Sequence, residues 1–289
     1  MMPFYGRFDH FKQAVQSVLA QSDPDWRLVI VDDVYPDLAP GEWAQGLNDE
    51  RISYIRNDTN LRPSRNYIKC VTLMQSEFAV ILGCDDALLP HYVSRAKQLV
   101  VEFPSAAVIQ PGVSIMDGDG QAAMPLVDRV KSWYRFRGTG ARAFSGERLA
   151  KSLMRGNWTY FPSLVWRVSE LKKHGFRVDL DVVQDLAMLL EITKDGGTLV
   201  LDDDVSFIYR RHGASVSAVT GPDGSKFAQE RILFEEASRD LTALGWQHAA
   251  IAARLHLTSR LNALTDMPAA IRRGNARGRS ALLRHVFGR

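Results

Sequence analysis

The chain has 289 residues, 46% of them hydrophobic and 24% charged, with a formal net charge of +3. That length and apolar share can bury a large core, as one big domain or one domain plus an appendage, and the charged share is ordinary for a soluble globular protein. The overall balance singles out no partner, but the surplus is local: from Arg272 to the last residue there are six arginines and no acid.

Cys70 and Cys84 are the only cysteines and lack C-x-x-C spacing, so no disulfide framework is expected and a reducing cytosol fits. No apolar run reaches the roughly 18 residues of a membrane span. The opening MMPFYGRFDHFKQ shows no charged leader followed by an apolar core. The expected location is cytoplasmic, or peripheral on the inner face of the cell membrane.

Along the first third, helical and strand patterns alternate. FKQAVQSVLA places Phe11, Ala14, Val15, Val18 and Leu19 at helical spacing. DPDW breaks that helix, RLVIVDD predicts a strand ending in acids, and RISYIRND predicts a second strand. SRNYIKCVTLM predicts a helix with Ser64 as N-cap after Pro63. FAVILGCDD opens with the uncharged, β-rich run of a buried parallel strand, which periodicity alone does not separate from a buried helix, and LPHYVSRAKQLVVEF predicts a helix entered through Pro90. Alternation of this kind predicts a doubly wound sheet, whose ligands bind outside the carboxyl ends of the strands. Asp32, Asp33, Asp85 and Asp86 all fall at such ends. Any one pair could simply cap a turn or helix; two pairs at equivalent ends favour a site.

From Ala106 the pattern changes. AAVIQPGVSIMDGDGQAAM reads as strand, turn, strand, with DGDG as a plain turn rather than a calcium loop, because the other ligand positions are missing. YRFRGTGARAFSGERL reads as a glycine-bearing loop into a short helix, and RGNWTYFPSLVW gathers aromatics before another. DVVQDLAMLLEITKDGG predicts a helix that begins near Asp185 and closes at Gly196 and Gly197. TLVLDDDVSFIYRRHGASVSA reads as a hairpin, with Asp202 to Asp204 as its solvated turn. Lys226 onward is helical and increasingly basic.

Taken together and in order, these motifs resemble glycosyltransferase family 2. MPFYGRFDHFKQAVQSVLAQS is similar to its opening turn and first helix, RLVIVDD to its second strand, and NDTNLRPSRNYI to the loop before its third helix. LGCDDALLP is similar to its metal-bearing D-x-D strand end, QDLAMLL to its late acidic motif, and YRRHGASVS to a closing motif near the diphosphate. The resemblance implies a GT-A fold: an α/β protein with a doubly wound, mixed, mainly parallel sheet flanked by helices, here with a C-terminal helical extension. Its expected division is a glycosyltransferase domain over 1–220, with a nucleotide half (1–105) and an acceptor half (106–220), and a basic extension over 221–289. Three departures stand out. The usual first strand before Pro3 is almost absent, so the sheet is expected to lack a central strand. Gly6 replaces the usual Asn, and Gly83 stands where the first Asp of D-x-D would be.

The implied chemistry is transfer of a sugar from a nucleotide-sugar donor, UDP-linked by preference, to a glycan or lipid-linked acceptor. A departing nucleoside diphosphate needs its charge neutralised, and Mg2+ or Mn2+ held by carboxylate serves as Lewis acid. Asp85 is the expected metal ligand, with His212 completing the shell. Asp32, Asp33, Arg65, Asp86, Arg210 and Arg211 are expected on the donor nucleotide. Asp185 is the expected general base, which predicts inversion at the anomeric carbon. Trp158, Tyr160 and Phe161 are expected in the acceptor pocket, although such clusters are more often core. The basic end could lie on an anionic membrane surface or be a solvated tail; nothing in the main domain supports nucleic acid. Two alternatives stay open: a non-catalytic sugar-nucleotide-binding relative, motivated by Gly83 and the missing strand, and a nucleotidyltransferase, against which the absent glycine-rich phosphate loop argues.

Overall fold

The computed structural model describes residues 1–212, 220–272 and 276–288. Residues 213–217 of the closing motif therefore lie outside the described residues.

The first strand exists. Three residues, Met2–Phe4 (β1), pair in parallel with Leu28–Asp32 (β2), which pairs in parallel with Ile52–Arg56 (β3). Met2 and Phe4, which share one face of this short strand, are fully buried, and Pro3 on the other face is half-buried. Its other edge is paired too. The Met1 amino group donates to the Val80 carbonyl at 2.8 Å, and the Leu82 amide donates to the Met1 carbonyl at 2.9 Å. Those bonds join β1 to the segment that begins as Phe78–Val80 (β4). The central position expected to be empty is thus filled by Met1 to Phe4.

Beyond β4, the second sheet runs through Val165–Arg167 (β8), Ala106–Met116 (β6), Thr198–Arg210 (β9) and Ala87–Leu88 (β5), with Arg142–Phe144 (β7) also on β9. β6 and β9 are parallel, while β4, β5, β7 and β8 make antiparallel pairs. The FAVILG segment is therefore not a wholly parallel strand: its far neighbour, β8, is antiparallel. The sheet is mixed, with most of its register carried by parallel pairs.

The expected hairpin at Asp202 to Asp204 is not formed. β9 runs straight through it as one strand of 13 residues. Its register against β6 shifts between Gln110 and Gly112, so the three acids ride on a bulge. Gly112 makes this possible, because a Cβ there would lie 2.5 Å from the Asp204 carbonyl oxygen. Asp202 is buried rather than solvated and accepts both Arg95 Nε (2.8 Å) and Nη2 (2.9 Å). Removing one partner of a buried bidentate pair leaves an uncompensated charge. Arg95→Ala is accordingly expected to destabilise the protein by about 3–5 kcal/mol, read as a drop in the urea midpoint; a change below about 1 kcal/mol would mean solvent reaches Asp202.

Helices cover both faces: Phe8–Leu19 (α1), Ala39–Gln45 (α2), Arg62–Leu73 (α3), Tyr92–Glu102 (α4), Leu126–Tyr134 (α5), Gly146–Arg155 (α6), Val168–His174 (α7) and Gln184–Lys194 (α8). α1 buries Phe11, Ala14, Val15 and Val18, the stripe its spacing predicts. α3 begins before Ser64, which is inside the helix and donates its hydroxyl to Asp181. The cap comes from a distance: the Asp33 carboxylate accepts the Leu61 and Arg62 amides at 2.7 and 2.9 Å. α8 ends as expected at Gly196, whose φ of +85° suits glycine.

The C-terminal part is Ser225–Ala243 (α9), Gln247–Leu255 (α10), Leu257–Arg272 (α11) and Ala276–Phe287 (α12). Leu233, Phe234, Ala237 and Leu241 of α9 and Ala249, Ala250 and Ala253 of α10 share one core with α6, α8 and β8. Phe227, Ala263, Ala270, Leu282 and Val286 close a smaller cluster among the last helices. No helix among the described residues is long and apolar enough to cross a membrane.

Candidate functional site

Leaving β4, the chain turns through Gly83, Cys84, Asp85 and Asp86 before β5, and the last residues of β9 lie against this turn. His212 Nε2 stands 2.5 Å from Asp85 Oδ2, with the side chains 20% and 30% exposed, so both partners are reachable from solvent. Asp86 points inward. Its Oδ1 accepts the Arg210 amide at 2.8 Å, and its buried Oδ2 has no hydrogen-bond partner. Burial, and then the Asp85 charge, raise the Asp86 carboxyl well above the usual carboxylate range. Asp86 therefore braces the turn from within; its expected place on the donor does not match a side chain 1% exposed.

Gly83 fits this turn closely. A Cβ there would lie 2.4 Å from Asp86 Oδ2 and 3.0 Å from Asp85 Oδ1. The first carboxylate of a D-x-D motif is excluded by the inward turn of Asp86. Gly83→Ala is expected to lower stability by about 1–3 kcal/mol, as overpacking does, measured by thermal unfolding; an unchanged melting temperature would show that Asp86 swings aside freely. Gly6 belongs to the same packing, since a Cβ there would sit 3.0 Å from Cys84 Sγ. Burial pushes the Cys84 thiol up to about 12, so it is neutral filler.

Arg210 and Arg211 have different tasks from the shared one expected. Arg210 is 3% exposed; its guanidinium donates to the Asp85 carbonyl (2.7 Å) and to Gln13 Oε1 (2.5 Å), tying β9 to the turn and to α1. Burial corrects its expected role as a diphosphate contact. Arg211 is half-buried and grips Asp128 with Nε at 2.9 Å and Nη2 at 2.7 Å. Tyr160 donates its hydroxyl to the same Asp128 at 2.9 Å. Lys131 lies 4.3 Å from the centre of the Tyr160 ring and donates to the Thr159 carbonyl at 2.7 Å. Burial and the nearby Arg211 charge lower the Lys131 ammonium to about 8.

Asp185 lies in the first turn of α8, half-buried, and its Oδ2 accepts Asn157 Nδ2 at 2.9 Å. Burial raises its pKa, against the stabilising Asn157 bond. Asp85 and Asp185 both act electrostatically on the half-buried Tyr67, and Lys131 feels Asp185 together with Asp128 and Arg211.

The remaining expected residues divide. Trp158 is 1% exposed and its Nε1 donates to Ser152 Oγ at 3.1 Å. It is core, which removes it from the acceptor pocket. Phe161 is half-buried against Tyr67 and Phe176, and Tyr160 against Tyr209. Asp32 accepts the Tyr35 amide (2.7 Å), the Tyr54 hydroxyl and Arg56. Asp33, besides capping α3, accepts Asn57 Nδ2 at 2.8 Å. These buried acids hold the loops at the ends of β2 and β3, so their bonding is that of the capping alternative and not of exposed nucleotide contacts. Arg65 is exposed on α3. Asp128, Lys131 and Asn157 lie in no motif that the sequence singles out, and Gln13 and His10 lie in the first-helix motif without being marked by it; His10 Nε2 is 3.1 Å from the Gly118 carbonyl beside the His212 ring.

Among the described residues no group of three or more His, Cys, Asp or Glu side chains gathers as a metal cage. Asp85 and His212 nevertheless offer an oxygen and a nitrogen donor side by side. That set fits a divalent cation that keeps several waters and takes its other ligands from a phosphate-bearing partner.

Comparison with known proteins gives the family and the fold. The model of the family described as Glycosyl transferase family 2 matches residues 1–168. The chain is 32% identical over 104 residues to the putative colanic acid biosynthesis glycosyl transferase WcaA of Escherichia coli (strain K12), covering 34% of this chain and 37% of that one. It is 31% identical over 121 residues to the putative teichuronic acid biosynthesis glycosyltransferase TuaG of Bacillus subtilis (strain 168), covering 41% and 47%. The matched stretch thus spans less than half the length of either relative. Among solved structures, S. aureus TarS 1-349 in complex with UDP-GlcNAc superposes with a TM-score of 0.66 at 13% identity, over 99% of this chain and 88% of that one. The mannosyltransferase PcManGT from Pyrobaculum calidifontis, in complex with GDP-Man and Mn2+, gives 0.63 at 14% identity, over 97% and 76%. Those likenesses establish the fold as the GT-A type.

Proposed function

The chain belongs to glycosyl transferase family 2, and on that premise we propose that it is a metal-dependent, inverting transferase carrying a sugar from a nucleotide-sugar donor, a UDP-sugar by preference, to a hydroxyl of a glycan or lipid-linked acceptor. The observation that carries this reading is the solvent-reachable pair at the end of β4, where the Asp85 carboxylate stands 2.5 Å from the His212 imidazole. Asp85 and His212 would hold Mg2+ or Mn2+, which when bound neutralises charge on the departing diphosphate. Arg210 fixes the backbone of Asp85, so the ligand is presented on a rigid turn.

Asp185 would take the proton of the acceptor hydroxyl as that oxygen attacks the anomeric carbon. Its place at the start of α8 and its bond from Asn157 hold the carboxylate in one orientation. One carboxylate base with direct displacement inverts the anomeric configuration. Arg65, exposed on α3, and Arg211, next to His212, are the cations we assign to the donor side. Phe161 and Tyr160 offer aromatic surface to the acceptor. The names of WcaA and TuaG, which refer to colanic and teichuronic acid biosynthesis, support a cell-surface polysaccharide as the acceptor class. Exposed Leu257, Leu261 and Leu264 on α11 and the terminal arginines support peripheral contact with an anionic membrane from the cytoplasmic side.

The pH profile tests the base. A general base must be ionised, so kcat/KM falls as pH drops through its pKa, and burial places that fall above the usual aspartate range. Asn157→Ala removes the bond that stabilises the carboxylate, so the acid limb is expected to move to higher pH. A limb that stays in place in Asn157→Ala would take Asp185 out of the role.

A further inference from the structure

Away from Asp85 and Asp185, α9, α10, α11 and α12 line an open-sided cavity of about 440 Å3. Arg231, Arg239, Arg254, Arg260 and Arg284 line it, against a single acid, Glu235. The acid is already engaged, accepting Arg231 Nε at 2.8 Å. Elsewhere on these helices basic and acidic groups pair off: Arg177 with Glu236, and Lys194 with Asp240 at 2.6 Å. Inside the cavity the balance fails. Exposed Arg239 and Arg254 make no side-chain hydrogen bond or ion pair among the described residues, and Arg284 reaches only Ser280 Oγ at 3.4 Å.

The wall is built rather than incidental. Arg260 donates to the Val286 and Gly288 carbonyls at 2.8 and 3.0 Å, closing the end of α12. Its Nε donates at 3.2 Å to His256 Nε2, and His256 Nδ1 is 3.0 Å from the Ala253 carbonyl, which selects one tautomer. His256 takes a φ of +29°, an unusual backbone for histidine, and its ring stacks on Phe234 at 4.9 Å. The strained corner between α10 and α11 is therefore held by the same residue that aims Arg260 along the cavity wall. Positive potential is felt by His285 as well: burial first, and then His256, Arg260 and Arg231, bring it down to about 4.

We infer that this cavity binds a phosphate-bearing anion, a phosphomonoester or diphosphate group, at a site separate from the transfer centre. Arg239, Arg254 and Arg284 line one cavity without a counter-charge, and a tetrahedral anion with three or more free oxygens can accept from several such forks at once. A lone carboxylate would satisfy one fork and leave the others unmatched. The inference rests on the C-terminal helices alone and stands independently of the transfer reaction.

The group could arrive on a soluble molecule or on a lipid headgroup, and two probes separate these sources. The full chain is titrated calorimetrically with inorganic pyrophosphate, and floated with vesicles of phosphatidylcholine alone or doped with phosphatidic acid. The variant is Arg239→Gln with Arg254→Gln, both exposed; Arg27→Gln with Arg137→Gln, also exposed, removes the same charge away from the C-terminal helices, and thermal melts check that both remain folded. Loss of charge-assisted hydrogen bonds should weaken binding about tenfold or more in the cavity variant only. Pyrophosphate binding that follows this pattern, without selective flotation, assigns a soluble ligand. Flotation with phosphatidic acid that follows it assigns a lipid phosphate. Equal effects of the two variants, or no binding of either probe by the wild type, would overturn the proposal.

Discussion

Asp185→Asn is expected to reduce sugar transfer by about 10²–10⁴-fold, the usual worth of a positioned general base, while nucleotide binding stays at the wild-type level. The replacement has nearly the same shape, and its amide oxygen can still accept from Asn157 Nδ2, so the geometry of the α8 terminus is kept. What is lost is proton affinity. A purely structural Asp185 predicts otherwise: an acid in the first turn of a helix contributes to stability through nearby amides and the helix dipole, typically about 0.3–1 kcal/mol. That role would appear as a small fall in melting temperature with kcat intact. A large fall in kcat with an unchanged melting temperature distinguishes the base, and loss of the acid limb of the pH profile in the same variant would confirm it.

Asp85→Ala is expected to abolish the gain in nucleotide affinity given by Mn2+ and to lower transfer on the order of 10²-fold or more, because charge stabilisation by a metal is worth several kcal/mol. The fold should tolerate the change. The Asp85 carbonyl, which anchors Arg210, is untouched, and the lost carboxylate is partly exposed. Neighbouring Asp86 would not give so clean an experiment, because its Oδ1 holds the Arg210 amide inside the protein. His212→Ala should act in the same direction more weakly, with an imidazole removed and the carboxylate retained. Nucleotide binding that ignores both substitutions would separate this pair from the site.

How much of this could be read from the residues depended on the range of the interaction. Alternation of strands and helices, the stripe on α1 and the glycine stop of α8 are local patterns, and each is found where its period or punctuation placed it. The Asp202 to Asp204 run was misjudged because three acids resemble a turn; only Arg95, more than a hundred positions away, makes a buried carboxylate affordable there. The first strand was missed for a similar reason. Three residues are too few to show alternation, and their strand character comes from β2 and from the Val80 to Leu82 backbone. Its presence also removes one motive for a binding-only relative.

At the site, the strand-end acids were found but not sorted. Nothing in a DD pair says which carboxylate faces the solvent; Gly83 beside it turns Asp86 inward and leaves Asp85 outward. The same holds for Arg210 and Arg211, adjacent in sequence at the end of β9 yet bound to different partners, Asp85 and Gln13 for the first and Asp128 for the second. Asp128 and Lys131 come from α5 and Asn157 from the chain after α6, and their contacts exist only once the protein is folded.

The most direct test of the central claim is titration calorimetry of UDP against the wild type and Asp85→Ala, each with and without Mn2+, with GDP run in parallel. The account predicts nucleotide binding that Mn2+ strengthens in the wild type and no longer strengthens in the variant. Binding of equal strength in all four conditions would contradict it.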